Sequence, residues 1–173
     1  AERMGVARVF GLLVHEAQRF VEDRKRRVDG RVAVAGDQHE LVAEALLRMS
    51  AVDTAPITPV DRLRVVMVRL SNHQLLNCWA EIDKGLPVAE QLLDESRGLL
   101  PEPAWLELRS SAWNIRGIRA WHNGNTTDAL DGYAKAAEFS RQAGHVLGQA
   151  ACEHNIAMVY IAVSRHAQAV EAC

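Results

Sequence analysis

Laid against itself at a spacing of 40 residues, the second half of this chain brings like residues into columns. No other feature limits the fold as much. Ala89, Ala129 and Ala169 share one column; Asn77, Gly117 and Ala157 a second; Ala80, Ala120 and Tyr160 a third; Leu93, Tyr133 and Cys173 a fourth. Small residues dominate the first two. A repeat of this length marks a stack of supersecondary units, none of which buries its apolar face alone. Two antiparallel helices joined by a tight turn approach closely only where both carry small side chains. Gly117 is therefore expected to face Ala129, with larger residues filling the space beyond.

Each unit reads as helical. Apolar residues recur at helical spacing, as in Val6, Phe10, Leu13, Ala17 and Val21, and no stretch sustains the two-residue alternation of a strand. Aromatics are only 5% of the chain against 49% hydrophobic overall, so Ala, Leu and Val must fill the core, which suits close helix packing. The fold class is all-α, with no sheet. Breaks are expected at Gly36-Asp37, Lys84-Gly85, Gly98 through Pro103, Asn123-Gly124-Asn125 and Gly144, leaving helices of roughly 14 to 24 residues. The clearest boundary is Asp53 to Pro59. Thr58 is placed to cap a new helix, Pro59 takes its first position, where a missing N–H costs nothing, and Asp61 meets the positive end of the helix dipole.

The segment Trp113, Gly117, Ala120, Ala129, Tyr133, Ala136 resembles the tetratricopeptide (TPR) signature of Trp, small, aromatic, Ala, aromatic, Ala, and Ala157, Tyr160 and Ala169 repeat part of it. The resemblance is to the long-helix type found in bacterial signalling proteins. It covers residues 59–173, strongest from Trp113 onward. The sequence departs from the pattern in its period of 40 rather than the usual 34, in Ala120 where an aromatic is usual, in Arg116 where a Leu precedes the small residue, and in the absent closing Pro. A period near 40 also suits HEAT or armadillo repeats, which have no reason to show the Trp-Gly-Ala-Tyr spacing. Either way the architecture implied is an α-solenoid, a right-handed superhelix of antiparallel helix pairs.

Two domains are expected: an N-terminal helical cap or divergent repeat over 1–52, and TPR-like repeats over 57–173. The first helix is apolar on a wide arc that includes Met4, Val6, Val9, Phe10, Leu12, Leu13 and Phe20, which suits a cap or a homodimer interface. The last repeat stops at Cys173, partway into its second helix, so the chain reads as a piece of a longer protein.

In the family the first helix of each repeat lines a concave surface. The resemblance therefore implies a peptide-binding groove with a polar column of Gln74, Asn114 and His154, flanked by Ser71, Cys78, Ile118, Trp121, His122 and Met158. Against this stands the plain reading that these polar residues are only solvated and that Trp121 packs into a neighbouring repeat. Some family members clamp a terminal carboxylate with Lys and Asn. Here Asn114 and Ile118 stand in those places, so that mechanism is not expected.

Other functions find little support. A formal charge of -2 and a pI near 6.4 give no footprint for nucleic acid. The basic run Arg24, Lys25, Arg26, Arg27 follows Glu22 and Asp23 late in a helix and reads as a solvated helix end. Cys78, Cys152 and Cys173 are odd in number and widely spaced, arguing for a reducing cytoplasm. Val9 to Val14 is too short an apolar run to span a membrane. No phosphate loop, nucleophile elbow, His-Glu-x-x-His helix or Cys-x-x-Cys pair is present, and Cys152 with His154 would make a poor metal pair, so no metal or cofactor is expected. An enzyme using His122, Asp128 or Glu153 has only residue type behind it. The expected function is a protein- or peptide-binding module, the regulatory part of a larger bacterial signalling protein such as a GGDEF diguanylate cyclase. A free-standing adaptor or scaffold and the TPR portion of a transcriptional regulator are the alternatives.

Overall fold

The Thr58-Pro59 boundary marks where α1 begins. In the computed structural model, which describes residues 57–172, α1 runs Pro59–Leu75 with Asp61 in its first turn, and the compact unit it belongs to starts at Pro59. Five helices follow: α2 (Trp79–Glu95), α3 (Glu102–His122), α4 (Thr126–Gln142), α5 (Val146–Ala162) and α6 (His166–Glu171). The described residues are all-helical, with no strand among them. The readings for residues 1–52, including the first apolar helix and the break at Gly36-Asp37, lie outside the described residues.

Four of the joints share one chemistry. Asn77, Gly124, Gly144 and Ser164 each adopt a left-handed backbone, with φ of 56°, 76°, 71° and 60°. At each, the following N–H reaches back five residues: Cys78 to the His73 carbonyl, Asn125 to Ala120, His145 to Ser140 and Arg165 to Tyr160, all at 2.8–3.0 Å. This is the Schellman closure, which satisfies carbonyls that a helix end otherwise leaves unpaired. The residue making that bond is also the N-cap of the next helix, so one residue ends one helix and starts another. Asn125 does so most fully. Its side chain accepts the Asp128 N–H at 3.2 Å and donates to the Asp128 carboxylate at 2.5 Å.

The expected breaks at Gly124, at Gly144 and between α2 and α3 are present. The one at Lys84-Gly85 is not: α2 passes through Lys84, Gly85 and Pro87 without interruption. Gly85 serves packing instead, since a Cβ there would come within 2.8 Å of Leu70 Cδ2. Asn77 and Ser164 mark joints that no glycine announces.

The joints also correct the repeat register. Gly124 and Ser164 stand 40 residues apart, but Asn77 and Gly124 stand 47 apart. The extra seven are accounted for: α3 has 21 residues where α5 has 17, and Ser96–Pro101 gives six linker residues where Ala143–His145 gives three. Asn77 is thus a turn residue and not the partner of Gly117, whose counterpart is Leu70. Ala89 aligns with Ala136, while Ile82 takes the place assigned to Ala89 opposite Ala129.

Each helix packs on the next in sequence, and α3 also touches α1 and α5. The tightest crossing joins α3 to α4. A Cβ on Gly132 would fall 2.8 Å from the Cα and N of Gly117, and one on Gly117 would fall 2.7 Å from Tyr133 Cδ1 and 3.2 Å from the Ala129 carbonyl. Ala129, Tyr133, Ala136, Ala157 and Ala169 are buried, and Trp113, Ala120 and Tyr160 half-buried. Leu63, Leu70, Ile82, Leu92, Leu93, Trp105 and Ile115 belong to a continuous core from α1 to α3.

Candidate binding surface

Residues at i, i+4 and i+7 share one helix face. Asn114, Ile118 and Trp121 form such a stripe on α3, and His154, Met158 and Ile161 hold the equivalent places, 40 residues on, along α5. Most of it is open. Trp121 is 38% exposed, Met158 51% and Ile161 49%, and Ile118 is half-buried among Ala129, Tyr133 and Val159. Asn114 is not a free recognition group. Its Oδ1 accepts from Asn155 Nδ2 at 3.0 Å and from the Cys152 thiol at 4.0 Å, which ties α3 to α5. Burial pushes that thiol up to about 11, with Glu153 adding to the shift and a hydrogen bond to Ser110 opposing it. Cys152 is therefore an inert packing group at neutral pH.

With the first pair shifted by seven residues, the counterparts of Asn114, Ile118 and Trp121 on α1 are Met67, Ser71 and Gln74. Met67 is buried, Ser71 is exposed with its hydroxyl donating to the Met67 carbonyl at 3.0 Å, and Gln74 is half-buried. The polar column of Gln74, Asn114 and His154 is thus not a column: Gln74 aligns with Trp121 and Ile161. Beside it, burial holds His73 below the usual histidine range, and its Nδ1 is buried without a partner.

Two other expected groove residues sit elsewhere. Cys78 is the joint residue capping α2, its thiol 3.8 Å from the Leu76 carbonyl. His122 lies one residue beyond Trp121, about 100° around the helix, and its ring stacks on Trp79 of α2 at 4.1 Å and 23°. Ile161, 40 residues after Trp121, belongs to the stripe although it was not among the expected groove residues.

The α2–α3 seam carries a feature the sequence reading missed. Asp83 pairs with Arg119 through two bonds at 2.7 and 2.6 Å, Glu90 pairs with Arg116, and Asp94 lies 3.7 Å from Arg109. Because 83, 90 and 94 meet 119, 116 and 109, these two helices run antiparallel. Arg119 holds the Asp83 carboxyl below its usual range, mainly by donating to it. Arginines also lie over rings, Arg109 over Trp105 at 5.0 Å and Phe139 at 5.3 Å, and Arg116 over Trp113 at 4.7 Å. A cleft of about 210 Å³ opens among Glu90, Asp94, Arg109 and Arg116. Glu90 and Arg116 are bonded to one another there, whereas Asp94 and Arg109 meet only at 3.7 Å and Arg109 Nε is buried without a partner. The spacings 83-90-94 and 109-116-119 were visible as two helical stripes of opposite sign.

Among the described residues no group of three His, Cys, Asp or Glu side chains is placed to hold a metal, and no helix is long and apolar enough to cross a membrane. Of the residues considered for acid–base work, His122 stacks on Trp79, the Asp128 carboxylate accepts from Asn125 Nδ2 at 2.5 Å in the first turn of α4, and Glu153 accepts from Gln149 at 2.7 Å. No protein-family model matches the sequence, and no curated protein matches it either.

Proposed function

We propose that residues 57–173 form a TPR-like solenoid of helix pairs that binds a protein or peptide on the α3–α5 face and does no catalysis itself. The observation that carries this reading is the paired stripe: Ile118 and Trp121 on α3, Met158 and Ile161 on α5, apolar residues at equivalent places on touching helices, three of them exposed. Exposed aromatic and Met side chains of this kind are common anchors for partners. The shared joint chemistry and the α1–α3–α5 contacts support the solenoid.

The test is selection of displayed peptides on the full chain, followed by affinity measurement on Trp121→Ala and on Leu99→Ala, a control at an exposed linker residue. Peptides that recognise the stripe lose at least tenfold in affinity with Trp121→Ala, about 1.4 kcal/mol, and nothing with the control. Selected peptides that bind Trp121→Ala as well as the parent chain would overturn the assignment of the face.

A further inference from the structure

The cleft of about 210 Å³ between α2 and α3 is lined by two acids and two bases, and only one pair of them is closed. Arg116 is bonded to Glu90, and their charges cancel. Arg109 and Asp94 stand 3.7 Å apart, beyond the roughly 2.7–3.2 Å of an N–H···O hydrogen bond.

Packing fixes Arg109 where it is. Its guanidinium lies over Trp105 of its own helix at 5.0 Å and over Phe139 of α4 at 5.3 Å. Its Nε is buried without a partner, and a buried charged donor with no acceptor costs more than a satisfied one. The Asp94 side chain is 79% exposed against 31% for Arg109, so water rather than Arg109 surrounds its carboxylate. The cleft therefore brings together a positioned guanidinium with donor capacity to spare, a carboxylate beside it with acceptor capacity to spare, and an apolar wall of Leu93, Ala112 and Trp113.

That inventory selects a ligand. A simple anion on Arg109 would set a second carboxylate beside Asp94, and a simple cation on Asp94 would set a second positive charge beside Arg109. A carboxylate and an ammonium on one carbon answer both, since they place opposite charges as close together as Arg109 and Asp94 place theirs. An apolar group on the same carbon is then covered by the wall. Volume bounds its size: pockets for drug-sized ligands run about 300–1,000 Å³, so this one takes something smaller.

We propose that the cleft binds a free α-amino acid with an apolar side chain, its carboxylate held by Arg109 and its ammonium by Asp94. Arg109, Trp113 and Arg116 each precede a member of the Asn114, Ile118, Trp121 stripe by five residues, about 140° around α3. The site is thus separate from peptide recognition.

The test is an NMR titration of the ¹⁵N-labelled full chain with valine, leucine, isoleucine, methionine and phenylalanine. At least one is expected to shift the Ala112 and Trp113 amide signals saturably. Removing its amino group, or capping its carboxylate as the amide, is expected to weaken binding roughly tenfold or more, and Asp94→Asn and Arg109→Gln should each weaken the intact amino acid as much. The two ligand analogues are read on the parent chain, so they decide the matter even if Arg109→Gln disturbs the fold. No saturable shift with any of the five overturns the proposal, as does binding that is indifferent to the carboxylate cap. Binding that is indifferent both to Asp94→Asn and to loss of the amino group overturns the amino acid as ligand.

Discussion

Gly132 shows what a single missing carbon does. Alanine would improve the helix propensity of α4 by about 1 kcal/mol, yet its Cβ would lie 2.8 Å from the backbone of Gly117, and backbone has no rotamer to yield. Overpacking typically costs about 1–3 kcal/mol, so Gly132→Ala is expected to lower the Tm by several degrees, and Ala129→Leu likewise. Ala134→Leu, exposed on the same helix, is the control and should leave the melt unchanged. Gly117 and Ala129 were legible in the sequence because they match a known pattern of small residues. Gly132 was not, although two glycines fifteen residues apart inside predicted helices are a signal of close approach. Tyr133, packed over Gly117, supplies a second expectation. Burial pushes its phenol from an ordinary 10 to about 12. The folded chain holds this proton while the unfolded chain releases it, so the contribution is intact below pH 10 and is lost as the pH climbs toward 12. Tyr133→Phe keeps the ring and removes that dependence. Urea midpoints at pH 9, 10 and 11 should fall more steeply for the parent chain than for the variant, and parallel curves would deny the phenol this role.

Between elements, the contrast lies between seams. The α3–α4 crossing brings backbone against backbone, whereas the α2–α3 seam holds Leu93, Trp105 and Leu106 in its core and rims them with three ion pairs. Trp105 Nε1 donates to the Leu93 carbonyl at 2.8 Å, so its indole also positions the start of α3. The carboxylates of these pairs are exposed and the arginines half-buried, and pairs so open to water are worth little singly, from near zero to about 1 kcal/mol each. Asp83→Asn, Glu90→Gln and Asp94→Asn combined are expected to cost about 1–2 kcal/mol in urea at low salt, and less at 0.5 M salt, where the Debye length shrinks to a few ångströms. An equal cost at both salt concentrations would show that the carboxylates act by packing. At this scale the sequence reading succeeded with helix type and with the joints at Gly124 and Gly144, and not with the break it placed at Lys84-Gly85. It failed at the first register because one extra turn in α3 and three linker residues displace every column by seven. Asn77 and Ser164 were missed as joints for a related reason: an Asn or Ser enters the left-handed region without the visible punctuation of a glycine.

Across the described unit, burial is uneven along the chain, and stability should follow it. The core from α1 to α3 is continuous and includes Trp105, Ile115 and several leucines, whereas α5 buries three residues and α6 only Ala169. Repeat arrays distribute stability through neighbouring contacts, and local opening starts where those contacts are fewest. Amide hydrogen exchange is therefore expected to be slowest in α3 and α4, which have packed neighbours on both sides, faster in α5 and fastest in α6. Equal exchange rates in α3, α4, α5 and α6 would show instead that the unit opens as one.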